Sequence, residues 1–535
     1  MFSLFNNRAD LMDQTLFSVP APDSTQSPLV ETHPGQLRQW VASLPYASPE
    51  RVAEFVIANL SLLNRHPDRV KDRAELMEIY RMPSTRLCRI PIGKRGAPDI
   101  LQIRRLLTEM AYGYKHIINE CLNNRSWLKQ RKRLLHSIFY ALKFLALEQF
   151  VAFEGYDCRS RKSLSEVLKL YALAEQQNLH NEIIDDHDQA GDETSTISHQ
   201  TKRIILVSLL DPCHLEPGEA RICFDFLNQY AGKAKFGSVT ATGDAAGRFV
   251  IDMSGMEPSR PFDPDTSPNL DPRRYRRFSL TSVSKRIHRA QQKIAMNGEE
   301  PPPGLQHLPP EEAILILRRI LKSWHIQQQR GADRQNRPRR VAIALGVTSI
   351  HHYLQTLAIQ NESSSDSSFS VILNGNLGAD YAPQHKSFEC MQVDQSASGV
   401  ALQLQLSQSS SPQVGQLLLI TASEDENSSD WRIGVVRRAM RKGNSSLELG
   451  VQFIRGHVSP ITLRTPNKGK EEQPGRRALF IDRGHKHRGS VIVSRNSLEL
   501  DQGYRVDEQT PDPVIVPMQL AEATPGFARY RLKDT

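Results

Sequence analysis

The stretch Glu389–Leu406 reads "ECMQVDQSASGVALQLQL", two apolar-rich segments around a small polar hexamer, Asp394–Gly399. Alternation on either side of a Ser- and Gly-bearing centre predicts two strands joined by a turn. The hexamer has two readings. It is a β-turn in which Asp394 and Ser396 bond local backbone and Gly399 takes a positive φ, or it is a set of polar groups that contacts a ligand.

The same texture continues on both sides. "RRVAIALGV", "GQLLLIT", "WRIGVVRRAM" and "LELGVQFI" are short, β-rich or alternating, and separated by Gly, Asn and Ser turns. They predict a small antiparallel barrel or sandwich over 330–458. "QNESSSDSS" at Gln360–Ser368 interrupts it as a flexible loop. "RALFID", "SVIVS" and "GYRVDE" predict a further small β module over 459–535.

Upstream the period changes. Residues 1–34 are Ser-, Pro- and Asn-rich and read as a loose, disordered tail. Next, Val52, Phe55, Val56, Leu60 and Leu63 fall on one helix face, with Ser48 as N-cap and Pro49 at the first helical position. Similar periodicity in Asp99–Cys121, Trp127–Phe153, Ser163–Leu179, Thr201–Leu210 and Pro217–Ala231 predicts a helical domain over 35–235. Gly237–Gly255 reads as a hairpin, and the region 236–308 continues into a Pro-rich linker. A connecting helix occupies 309–329. The expected fold class is multi-domain α+β, a helical N-terminal region followed by the β-barrel and the small β module.

The chain has 535 residues, 24% charged and 39% hydrophobic, as expected of a soluble globular protein with several domains. A net charge of +9 tolerates anionic partners without requiring nucleic acid, which is not the expected ligand. The N-terminus lacks a basic region followed by a long apolar core. Apolar runs such as Ile204–Leu210 are far too short to span a bilayer. A cytoplasmic protein without a membrane span is the expectation. Six scattered cysteines, with no CxxC, read as buried reduced thiols. His485–His487 lacks further ligands, so no metal is expected. His351–His352 reads as an exposed pair, Asp185–Asp188 as a solvated loop, and Asp211–Glu219 as a turn leading into a helix. No Walker loop, HExxH or nucleophile elbow is present, so neither an enzyme nor any catalytic residue is expected.

An arginine-rich run, "RGADRQNRPRR" at Arg330–Arg340, leads into the first strand, and the hexamer downstream fits [DN]-x-S-x-x-G. This order resembles the PilZ domain, the bacterial cyclic-di-GMP receptor module. Arg330 and Arg334 fit the family's R-x-x-x-R, and Asp394, Ser396 and Gly399 fit its second motif. Gly434, Val435 and Arg437, then Gly450, Val451 and Phe453, fit its glycine-marked strand pair. The resemblance covers 330–456.

It implies cyclic-di-GMP as ligand, with no other cofactor. A guanidinium matches guanine O6 and N7 bidentately, pairs with phosphate, or stacks on a purine. Asp394 would accept from the guanine N1–H and N2–H₂ edge, the Ser396 hydroxyl would donate or accept, and Gly399 would admit close backbone approach. The clamp is formed by Arg330 and Arg334, or by Arg337, Arg339 and Arg340 nearer the strand. The arginine segment would order on the ligand and switch a surface for a protein partner. The alternative is an interaction scaffold whose barrel binds no nucleotide.

Overall fold

The computed structural model describes residues 17–23, 31–67, 70–91, 96–123, 130–186, 194–240, 244–325, 335–362, 387–405, 412–422, 431–443, 445–465, 475–482, 489–495, 498–507 and 514–533. Two compact units form: Met1–Pro212 with Ala220–Gln327, and Cys213–Glu219 with Gln328–Thr535.

The first unit begins with α1 (Pro34–Ala42), α2 (Pro49–Asn64), α3 (Arg73–Cys88), α4 (Ile100–Asn123), α5 (Arg131–Glu154) and α6 (Lys162–Gln176). Pro starts α1 and α2, where a missing N–H costs nothing. Ser48 precedes α2, but its side chain makes no capping bond. The buried face of α2 is Val52, Ala53, Val56, Ile57, Leu60 and Leu63. Phe55, expected on that face, is 47% exposed. Part of the expected loose tail is ordered: Phe17 is buried and exchanges two 3.0 Å hydrogen bonds with the Asn119 side chain on α4.

Helix α5 is the core of this unit. Among the described residues it is the one helix long and apolar enough to cross a membrane, but its side chains are almost wholly buried by its neighbours. That is how a core helix reads. Its Lys143 pairs at 2.5 Å with Asp186, which is fully buried. Asp186 is therefore not part of a solvated loop. His187 and Asp188 lie outside the described residues.

A short pair, β1 (Ile184–Asp185) with β2 (Thr194–Ser195), precedes α7 (Ile197–Ser208) and α8 (Glu219–Asn228). Pro212–His214 is a 3-10 turn before α8, as the turn-and-helix reading expects. Next come β3 (Lys235–Ser238), β4 (Arg248–Asp252), β5 (Arg260–Pro261) and β6 (Tyr275–Ser279), a four-stranded sheet in the order β3-β6-β4-β5. The expected hairpin over Gly237–Gly255 is not formed, because β6 lies between β3 and β4. Phe278 on β6 stands opposite both Phe236 and Phe249 and is fully buried. Burying that aromatic row decides the order. Helices α9 (Thr281–Asn297) and α10 (Pro310–His325) close the unit.

The second unit starts with β7 (Gln335–Leu345), α11 (Gly346–Glu362), β8 (Ser387–Ser396), β9 (Gly399–Gln405), β10 (Leu417–Ala422), β11 (Trp431–Lys442) and β12 (Ser446–Phe453). The six strands close an antiparallel barrel in the order β10-β11-β12-β9-β8-β7. A seven-stranded antiparallel sheet follows: β13 (His457–Arg464), β14 (Arg476–Asp482), β15 (Ser490–Val493), β16 (Tyr504–Asp507), β17 (Val514–Ile515), β18 (Pro517–Ala523) and β19 (Ala528–Leu532).

Helix α11 takes the place where a strand-to-loop passage was expected. Its Val347, Ile350, Tyr353 and Leu354 share one core with Leu417, Leu419, Ile433 and Val435 of the barrel and Val458, Leu479, Ile481 and Ile492 of the sheet. His351 on this helix is buried and hydrogen-bonded through Nε2 to the Ile461 carbonyl at 3.2 Å, so it is not one of an exposed pair. Cys88, Cys121, Cys223 and Cys390 are buried thiols as expected, whereas Cys158 and Cys213 are disulfide-bonded.

Candidate functional site

Strand β7 is longer than the barrel wall it closes. Val341–Ala344 and Leu345 pair with β10, whereas the half from Gln335 to Arg340 pairs only with β8 among the described residues. The arginine-bearing half lies beyond the described pairing with β10, and residues 423–430, which follow β10, lie outside the described residues. Pro338 is tolerated there, since a missing N–H is harmless at a strand edge or bulge.

The register brings the two sequence motifs together. Asn336 stands opposite Asp394, Arg339 opposite Gln392, and Arg340 opposite Met391. Between Asn336 and Arg339 the pairing slips, so Arg337 and Pro338 together face Val393 alone. Val393 is also the extra residue of β8 against β9, where Gln392 pairs with Leu402 and Asp394 with Ala401. A bulge of this kind re-aims side chains at a barrel rim. Arg337 and Arg340 are exposed and Arg339 is half-buried. The part of the arginine run that is described is thus strand. Arg330 and Arg334 lie outside the described residues, so the alternative clamp that they would form is not seen.

The hexamer is a tight hairpin. Ser396 pairs with Gly399 across a turn of Ala397 and Ser398. The Ser396 hydroxyl donates to the Gly399 carbonyl at 3.3 Å and lies 3.5 Å from the Ser398 hydroxyl. The Phe453 N–H, at the end of β12, donates to the Ser398 carbonyl at 2.9 Å and ties the turn down. Asp394 is half-buried.

Gly399 is not among the positive-φ residues. A Cβ there would sit 2.3 Å from the Val451 carbonyl oxygen, so glycine is required by the close passage of β12 rather than by the turn. Gly434 serves the other flank of β12 in the same way, with a Cβ 2.5 Å from Val451 Cγ1. Arg437, at the β11 bulge, donates through Nε to Gln452 at 2.9 Å and pairs with Glu522 of β18.

One residue of the site escaped the sequence reading. Gln392 is 2% exposed. Its Nε2 donates to the Arg337 carbonyl at 3.0 Å, and its Oε1 accepts from Arg339 Nε at 3.2 Å. A polar residue two places from the buried Cys390, and so on the same side of β8, was the available signal. Burial pushes the Cys390 thiol up to about 12, so it stays protonated. Among the described residues no group of three or more His, Cys, Asp or Glu is placed to hold a metal ion, and His485–His487 lie outside them.

Residues 35–241 match the family model described as "Cyclic-di-GMP receptor FimW, N-terminal domain". The match takes in well under half of the chain and ends before β7 begins. Similarity to a cyclic-di-GMP receptor was expected in the C-terminal half; the family match lies in the helical N-terminal region instead. No curated protein matches the chain.

Proposed function

We propose that this protein is a non-enzymatic cytoplasmic receptor for cyclic-di-GMP, with a PilZ-type site on the first half of β7 and the β8–β9 hairpin. The observation that carries the reading is the β7–β8 register, which pairs Asn336 with Asp394 and puts Arg337, Arg339 and Arg340 within the next four positions of the same strand. The similarity of residues 35–241 to a cyclic-di-GMP receptor's N-terminal domain supports the same ligand from a separate part of the chain.

Cyclic-di-GMP carries two phosphodiester charges and two guanines. The exposed Arg337 and Arg340 suit phosphate pairing or purine stacking, and Asp394 suits the guanine N1–H and N2–H₂ edge. By analogy with base readout, each bidentate contact contributes about 1–3 kcal/mol. The altered rim would be the surface that a protein partner reads.

Calorimetric titration of the full chain tests this. Saturable heat with cyclic-di-GMP, and thermal stabilisation by it, are expected. Arg339→Ala and Asp394→Ala should each weaken binding roughly tenfold or more, with melting of the ligand-free protein little changed. Absence of both heat and stabilisation at ample ligand would leave the interaction-scaffold reading. Salt-steep binding of any DNA or RNA in its place would assign a nucleic-acid binder.

A further inference from the structure

We infer that Gln392 is the positioning residue of this rim: its side-chain amide holds the arginine strand in register and aims Arg339. The inference rests on the reading of the rim as a nucleotide site, and it adds a residue that neither sequence motif contains.

A buried amide has to satisfy both of its ends. Gln392 does so within the arginine segment, donating to the Arg337 carbonyl and accepting from Arg339 Nε. Pro338 stands between those two residues and has no N–H to give the ladder. Two residues of β7 also face one of β8 there, so regular pairing is interrupted. The Gln392 side chain supplies at that gap the donor that backbone supplies elsewhere.

Its oxygen does a second thing. Holding Nε fixes the plane of the Arg339 guanidinium before any ligand arrives. A long side chain held in advance loses less rotamer freedom on binding. Gln392 thus acts through Arg337 and Arg339, without touching the ligand.

The variant Gln392→Met keeps the length and removes the amide. Hydrogen exchange of the ligand-free full chain should show faster exchange across residues 335–341 in this variant, with the melting temperature within a few degrees of wild type. Cyclic-di-GMP binding should weaken about tenfold, the usual scale for losing a hydrogen bond to a charged group. In an Arg339→Ala background the same change should cost clearly less affinity than in wild type, the remainder passing through the Arg337 carbonyl. Should Gln392→Met fail to fold, Arg339→Lys tests the contact from the other side, since it keeps the charge and has no Nε to be held. Lysine binding as well as arginine would overturn the proposal. Unchanged exchange at 335–341 would also overturn it, as would an equal affinity loss in both backgrounds. If the wild type takes up no cyclic-di-GMP, the receptor reading fails, and the exchange result alone decides whether Gln392 holds the strand.

Discussion

A methyl group on Gly399 would press on the Val451 carbonyl oxygen at 2.3 Å, and backbone on both sides is pinned by strand pairing. Gly399→Ala should therefore destabilise the barrel by about 1–3 kcal/mol, the usual cost of overpacking, seen as a lower midpoint in chemical denaturation. Ligand binding should fall only as far as the folded fraction does. A Gly399→Ala protein as stable as wild type that no longer binds would return this glycine to a ligand-approach role. At this scale the hexamer was legible as a turn, and its Ser396 does bond local backbone. The cause of Gly399 was not legible, because the strand that crowds it lies far along the chain. Asp186 teaches the same lesson, since nothing near it in sequence announces Lys143 as its partner.

Among the elements, α11 has the largest structural consequence. Ile350 is fully buried where the barrel and the seven-stranded sheet share one core. Ile350→Ala should cost about 2–5 kcal/mol, and barrel and sheet should melt earlier together when followed by separate probes. Loss of one with the other intact would show that the two cores are independent. The helix was readable in principle, for Val347, Ile350, Tyr353 and Leu354 carry helical spacing. The β-rich neighbourhood masked it. Strand β6 was less accessible. It looked like part of a Pro- and Arg-rich linker, and only the burial of Phe278 between Phe236 and Phe249 makes it a central strand. The arginine strand shows a related limit. Alternation marked β7 as a strand, but its two-residue bulge opposite Val393 follows from the pairing with β8.

For the whole molecule, acid is the informative perturbation of the helical unit. Burial and the nearby Arg73 push His116 down to about 4, and its Nε2 bonds the Asn64 carbonyl at 3.0 Å. In the unfolded chain an ordinary histidine titrates near 6.5, so the unfolded state takes up the proton first. This contribution to stability is complete above that value and is lost as pH falls towards 4. His116→Gln should flatten the fall in denaturation midpoint between neutral pH and pH near 4, and an unchanged slope would show that His116 is not its source. The class of the protein, a helical region followed by antiparallel β structure, was legible by sequence alone, because the helical and strand periods of apolar residues are local properties. So were the arginine run and the hexamer as chemically apt groups. That Asn336 stands opposite Asp394, that Gln392 bridges Arg337 and Arg339, and that a helix shares a core with both barrel and sheet were decided by tertiary structure. Strand register and shared burial join residues far apart in the chain, and no local pattern carries that information.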